Sequence, residues 1–219
     1  MDHAALLERM SALARQGVPS TLVILVEALG STPQDVGMTC GGSVKLYFEA
    51  RGGAGGADRW PIWIFGAGHV VQALVPVLAP LDCQLIVVDP RQEWLDRLPR
   101  AANARYLRRD EPADLVPEIP DHAFVLCLTR GHASDRPVLQ RALGERDFPF
   151  VGVIGSAAKA AVLRRELTAG GLPAARTHAF HCPVGLDFGS NQPHEIALSI
   201  AAQLLTERDR PARRAPRRS

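Results

Sequence analysis

The sequence predicts an α/β protein, a doubly wound parallel sheet preceded by a small α+β N-terminal domain. Three observations carry that prediction. Residues 62–91, IWIFGAGHVVQALVPVLAPLDCQLIVVDPR, run from an apolar strand through Gly66-Ala67-Gly68 into a helical stretch and return as a strand ending at Asp89. Beyond residue 60, short apolar runs alternate with helical patterns, and strands separated by helices of that length cross over into parallel pairing. Before it, RGGAGGADR (51–59) is a glycine-rich stretch of the kind that links domains.

In order along the chain, Leu6, Leu7, Met10 and Leu13 share one face of a predicted helix at 3–16. STLVILVEAL (20–29) reads as a buried strand, GSTPQDVG (30–37) as a loop and GGSVKLYFEA (41–50) as a second strand. These make the N-terminal domain, 1–50, followed by the linker at 51–59. The C-terminal domain, 60–207, carries predicted strands at 62–65, 84–88, 104–107, 123–128 and 150–154. Helices are predicted at 69–79, 92–98, 111–116, 135–144, 156–170 and 193–207. Residues 208–219, RDRPARRAPRRS, are basic and punctuated by proline, which predicts a disordered tail.

Bulk properties exclude several classes. Of the formal net charge of +2, the last twelve residues supply +5 from six Arg and one Asp, which leaves −3 on the rest. The body carries no basic stripe with interleaved aromatics, so nucleic acid is not expected as a partner, although the tail offers a surface for an acidic one. No apolar run reaches membrane-spanning length, and the charged start lacks the apolar core of a signal peptide. Cys40, Cys83, Cys127 and Cys182 form no CxxC pair, which suits reduced thiols and a cytoplasmic protein. Cys83 and Cys127 fall in or beside predicted core strands, so Cys40 is the candidate reactive thiol.

The glycine turn makes the C-terminal domain Rossmann-like. In such turns the first glycine permits the tight bend, the second lets a phosphate approach the backbone, and the third lets helix and strand pack closely. Gly66 and Gly68 fill the first two places, and Val71 occupies the third. The helix beginning at His69 offers backbone N–H groups to an anion, and Asp89, followed by Arg91, stands where a ribose hydroxyl would be held. Gly155 and Ser156 form a second such entry. There Ser156 is expected to cap the helix, and Lys159 is either an anion ligand or a solvated lysine. The loop Thr129-Arg130-Gly131-His132, with Asp135, leaves the fourth strand at the carboxyl edge, where ligands of such sheets bind. His132 is either an acid–base group or a water-bound loop histidine. His178, His181 and Cys182 give HxxHC, a spacing that matches no standard four-ligand zinc site.

Several segments together carry a family resemblance: VEALGSTPQDVG, CGGSVKLYFE, FGAGHV, VVDPR, TRGH, VGVIGSAAK and CPVGLDFGSNQPHEIALSIAAQLL. From residue 20 to 205 the chain resembles the xanthine dehydrogenase accessory proteins, the XdhC/CoxI family. The resemblance implies a chaperone for molybdenum cofactor (molybdopterin) rather than a hydride-transfer enzyme. It further implies support of cofactor sulfuration with a cysteine desulfurase, and of insertion into xanthine dehydrogenase or a related molybdenum hydroxylase. By motif position it points to Gly66, Gly68, His69, Asp89, Arg91, Thr129, Arg130, Gly131, His132, Gly155, Ser156, Lys159 and Asp187 as cofactor-binding residues. The chain departs from the family pattern at Val71, at Ala157 and Ala158 where arginines are usual, and in a shortened N-terminal domain. That domain lacks the family's glycine-rich element ending in cysteine, for which Cys40 is the substitute. Its shortness also predicts uncovered apolar surface and a homodimer. Two other readings stay open from the residues, a non-catalytic docking scaffold for the hydroxylase and an NAD(P)-dependent oxidoreductase.

Overall fold

The computed structural model describes residues 21–24, 46–49 and 59–214, and the chain divides into two units, Met1–Asp58 and Arg59–Ser219. In the first unit, β1 (Thr21–Ile24) pairs antiparallel with β2 (Leu46–Glu49), Thr21 opposite Glu49. Both strands fall inside the stretches expected at 20–29 and 41–50. The expected helix at 3–16, the loop at 30–37, the linker up to residue 58 and Cys40 lie outside the described residues.

The second unit is built on a five-stranded, all-parallel sheet in the order β5-β4-β3-β6-β7. Its strands are β3 (Trp60–Phe65), β4 (Cys83–Asp89), β5 (Ala104–Arg108), β6 (Phe124–Cys127) and β7 (Phe150–Val153). The three inner strands are apolar almost throughout because both of their faces are covered. Alternate residues divide between the two sides, as the period of a strand requires. Ile62, Ile64, Leu85, Val87 and Leu126 pack on one side with Leu74 and Leu78 of α1 (His69–Leu78) and Ile200 and Leu204 of α6 (Pro193–Arg214). Trp63, Phe65, Ile86, Val88 and Val125 pack on the other with Val138 and Leu139 of α3 (His132–Glu145) and Leu163 and Leu167 of α4 (Ala157–Ala169). Val71, in the third-glycine position, is fully buried in the first of these clusters.

The short connections differ from expectation, each for a local reason. Helix α2 spans only Gln92–Leu95, rather than 92–98. A 3-10 helix at Pro112–Glu118 replaces the α-helix expected at 111–116, and it contains Pro117, which lacks the N–H that an interior α position must donate. Helix α3 begins at His132, ahead of residue 135, because Gly131 stays extended and serves as its N-cap. Helix α6 continues to Arg214, past the end expected at 207, so the tail assigned to 208–219 is helical over its first part. There Arg208 lies over the Trp60 ring at 5.1 Å. A further short helix, α5 (Ala174–Thr177), precedes a segment in which His181 bridges Gly152 of β7. From there the chain turns back across the carboxyl edge of the sheet to enter α6.

Candidate ligand-binding site at the carboxyl edge of the sheet

The strand order reverses between β3 and β6: β3 leads outward through β4 to β5, and β6 leads the opposite way to β7. A crevice opens where the loops after β3 and β6 diverge, the position at which ligands of such sheets bind. The turn after β3 begins at Gly66, whose φ is +111° and whose N–H donates to the Val88 carbonyl at 2.8 Å. A Cβ there would sit 2.6 Å from the Leu128 carbonyl oxygen, so no other residue fits without displacing the backbone of the neighbouring strand. Gly68 caps α1 without any side-chain hydrogen bond, and a Cβ on it would meet nothing within 4 Å. The first turn of α1 therefore faces open space with its N–H groups unclaimed by a cap, a favourable setting for an anion.

Asp89 locks this turn to the next one. Its Oδ2 accepts from Ala67 N–H at 2.8 Å and from Arg91 Nη2 at 2.9 Å, and its Oδ1 accepts from the Arg91 N–H and Nε, both at 2.9 Å. Burial alone would raise this carboxyl's pKa, but the hydrogen bonds from Arg91 and Ala67 prevail and hold it below the usual carboxylate value. The residue expected to meet a ribose hydroxyl thus commits both oxygens to the chain itself. Arg91, fixed by that carboxylate, lies over the Trp94 ring at 4.9 Å, and His69 meets the same ring edge-on at 5.2 Å.

On the other side of the crevice, Asp135 is completely buried. Its Oδ1 lies 2.6 Å from the Thr129 hydroxyl, and its Oδ2 lies 2.5 Å from Lys159 Nζ. Lys159 Nζ also donates to the Ile154 carbonyl at 2.8 Å. Burial raises the Asp135 pKa, and the bonds from Lys159 and Thr129 only partly offset it. Lys159 is thus neither a plain solvated lysine nor an unengaged anion ligand, since it reaches the crevice from an ion pair beneath the floor. Gly155, with φ of +153°, makes room for it, because a Cβ there would lie 2.5 Å from Lys159 Cδ. Ser156 caps α4, its hydroxyl accepting from the Lys159 N–H at 3.3 Å.

These loops enclose a cavity of about 600 Å³ that brings together Gly68, His69, Arg91, Thr129, Arg130, Gly155 and Lys159 of the expected residues. Gly66 and Asp89 instead line an adjoining cavity of about 410 Å³, which shares Arg91, Thr129 and Arg130 with the first. Asp187 lies in a third cavity, of about 460 Å³, formed largely by residues 183–191. Gly131 caps α3, and His132 turns to Glu166, with Nε2 3.6 Å from Oε1, outside the crevice. The HxxHC residues do not converge. His181 stacks on Phe150 at 4.7 Å, His178 Nδ1 lies 2.9 Å from the Ala174 carbonyl, and Cys182 Sγ donates to the Ser156 carbonyl at 3.7 Å. Among the described residues no group of three or more His, Cys, Asp or Glu is placed to hold a metal ion, and no helix is long and apolar enough to cross a membrane. Cys83 and Cys127 are buried in the core. Sequence reasoning missed Trp94, which lies three residues beyond a recognised motif, and Asn191, which lies inside one without being singled out.

The family model for the XdhC Rossmann domain matches residues 62–204. The chain is 28% identical over 172 residues to the uncharacterized protein YqeB of Escherichia coli (strain K12), over 78% of this chain and 30% of that one. It also resembles a xanthine dehydrogenase crystal structure from Bacillus halodurans, with a TM-score of 0.58 and 29% identity, over 72% of this chain and 45% of that one. The chain spans less than half the length of either protein.

Proposed function

Because the chain belongs to the XdhC family, its Rossmann domain covering residues 62–204, we propose that it is a molybdenum-cofactor-binding accessory protein. Its client is xanthine dehydrogenase or a related molybdenum hydroxylase, for which it supports sulfuration and insertion of the cofactor in concert with a cysteine desulfurase. The observation that carries this reading is the 600 Å³ crevice at the switch point, where the loops after β3, β4, β6 and β7 meet and Arg91, Arg130 and Lys159 line the space.

The residues present fit the phosphate-bearing pterin part of the cofactor. Open space over Gly68 allows a phosphate to reach the first turn of α1, and Arg130 and Lys159 line the same cavity. Trp94, Leu128, Ile154 and Ile196 give the same crevice apolar walls suited to a flat ring. When bound, the cofactor supplies a molybdenum atom held by the dithiolene of the pterin. Cys182, the half-buried thiol among the described residues, has its pKa raised by burial despite the nearby charges of Lys159 and Arg164. Its bond to the Ser156 carbonyl suits a held thiol rather than a reactive thiolate. Cys40, which lies outside the described residues, is the thiol proposed to contribute to cofactor binding.

Equilibrium binding of isolated molybdenum cofactor to the full chain, beside NAD(H) and NADP(H), tests the reading. Saturable binding of the pterin, with no response to nicotinamide cofactors, is expected. Cys40→Ser is expected to weaken binding. Nicotinamide binding without pterin binding would turn the assignment to an oxidoreductase. If neither binds and the cofactor-free chain still captures the hydroxylase, the chain is a docking scaffold.

A further inference from the structure

The two edges of the parallel sheet differ. At one, the segment around His181 closes β7: the Val153 N–H donates to the His181 carbonyl at 2.8 Å, and the His181 N–H donates to the Val151 carbonyl at 2.9 Å. At the other, β5 pairs with β4 and, among the described residues, with no strand beyond it. The Asn103 carbonyl and the Arg109 N–H bond to β4, at Leu85 and Asp89. Because backbone direction alternates along a strand, Arg105 and Leu107 also face β4, and Tyr106 turns its N–H and C=O outward. Such an edge is a template for a further strand unless something blunts it. Strand β5 holds no proline, and its side chains Tyr106 and Leu107 are half-buried, each against one of the two core clusters.

The same edge is cationic. Residues 91–109 hold six Arg against Glu93 and Asp96, hence +4, whereas residues 1–207 as a whole carry −3. Arg108 is engaged by the Pro90 carbonyl at 3.1 Å and by Asp110 at 3.0 Å. Arg100 and Arg105 are exposed, and among the described residues neither makes an ion pair or a side-chain hydrogen bond.

We propose that β5 accepts a sixth strand from a partner protein, an extended segment whose central residues run acidic, apolar, apolar, acidic. That order complements Arg105-Tyr106-Leu107-Arg108. The outward N–H and C=O of Tyr106 supply the backbone pairing, and the two arginines select the sequence. Arg105 shares the sheet face of Leu107, and Arg108 that of Tyr106, so acidic residues three apart meet one arginine on each face. The exposed bond from Arg108 to Asp110 exchanges readily, since such surface pairs are weak. A second copy of the same edge is the wrong occupant, because it would set arginine-bearing strands side by side. None of the four residues lines the crevice or its adjoining cavity, so this surface stands apart from the cofactor reading.

The test is fluorescence anisotropy of the full chain with a labelled peptide that carries Glu-Val-Ile-Glu between Ser and Thr flanks. Saturable binding is expected, and Arg105→Glu should weaken it at least tenfold. Of the two peptides in which a single Glu is replaced by Lys, one should then bind Arg105→Glu at least tenfold more tightly than wild type. Rescue by Lys at the first position marks a parallel strand, and at the last position an antiparallel one. N-methylation of alternate peptide amides should abolish binding to wild type in one of the two alternating sets and spare it in the other. No saturable binding, rescue by neither lysine peptide, or equal binding of both N-methylated sets overturns the proposal. Oligothymidylate bound as tightly as the peptide also overturns it, since the edge would then attract polyanions of any kind.

Discussion

Asp89 and Asp135 are two buried carboxylates of the second unit, and their environments push them in opposite directions. Asp89 accepts four hydrogen bonds, all from Ala67 and Arg91, so its charged form is favoured and its pKa is depressed. A depressed folded pKa contributes stability above the unfolded value, roughly pH 4, and that contribution is lost as pH falls through the folded value. Asp89→Asn turns an amide N–H₂ toward donors. It should cost about 2 kcal/mol at pH 7, and urea unfolding should show the difference shrinking below about pH 4. Asp135 has the raised pKa, so its contribution is fullest below the unfolded value and is lost as pH rises through the folded one. At neutral pH its charge depends on Lys159. Lys159→Met should therefore cost about 3 kcal/mol, because it strands a buried carboxylate. In the double variant Asp135→Asn/Lys159→Met most of that loss should return. Strictly additive losses in urea unfolding would mean the two groups are not coupled.

At the scale of elements, the glycine turn was the most legible part of the site, and the structure divides its two glycines by task. Gly66 is required by the fold itself, since φ is +111° and a Cβ would strike the Leu128 carbonyl. Gly66→Ala should destabilise by about 1–3 kcal/mol. Gly68 has φ of −69° and open space around a Cβ, so Gly68→Ala should leave stability within about 0.5 kcal/mol while weakening ligand binding at least tenfold. Thermal unfolding and pyrophosphate titration of the two variants separate the roles. Unchanged pyrophosphate affinity in Gly68→Ala would show that no anion approaches this turn. The strands were legible because inner strands of a parallel sheet are apolar on both faces, and Val71, in the third-glycine position, is part of the core. The short connections were not, because Pro117 and the extended Gly131 act through local backbone geometry that periodicity does not register. Lys159 shows the same limit within the site. Its place in the loop could be read, but its ion pair with Asp135 depends on α3 and α4 lying side by side.

At the scale of the molecule, the described residues that line the crevice and make up both core clusters belong to the second unit. The two units meet in sequence between Asp58 and Arg59, and the glycine-rich stretch at 51–59 says nothing about which unit holds a ligand. The family resemblance drew attention to Cys40, which lies outside the described residues, whereas the described lining of the crevice falls within residues 59–219. A fragment of residues 59–219 should therefore fold alone, with β3 covered on both faces, and bind pyrophosphate within threefold of the full chain. Tryptophan fluorescence gives a selective readout, because Trp60, Trp63 and Trp94 are the chain's three tryptophans and all lie in this unit. The fluorescence midpoint in urea should coincide for fragment and full chain, while far-UV dichroism of the full chain also reports the first unit. Molybdenum cofactor is the probe for which fragment and full chain should part, since Cys40 is present only in the latter. If the fragment binds pyrophosphate and the cofactor equally well, the thiol has no part in binding, and the phosphate and ring contacts of the crevice suffice. If it binds pyrophosphate but holds the cofactor more weakly, the first unit supplies the soft ligand that the Rossmann unit's own core-buried and carbonyl-bonded thiols do not.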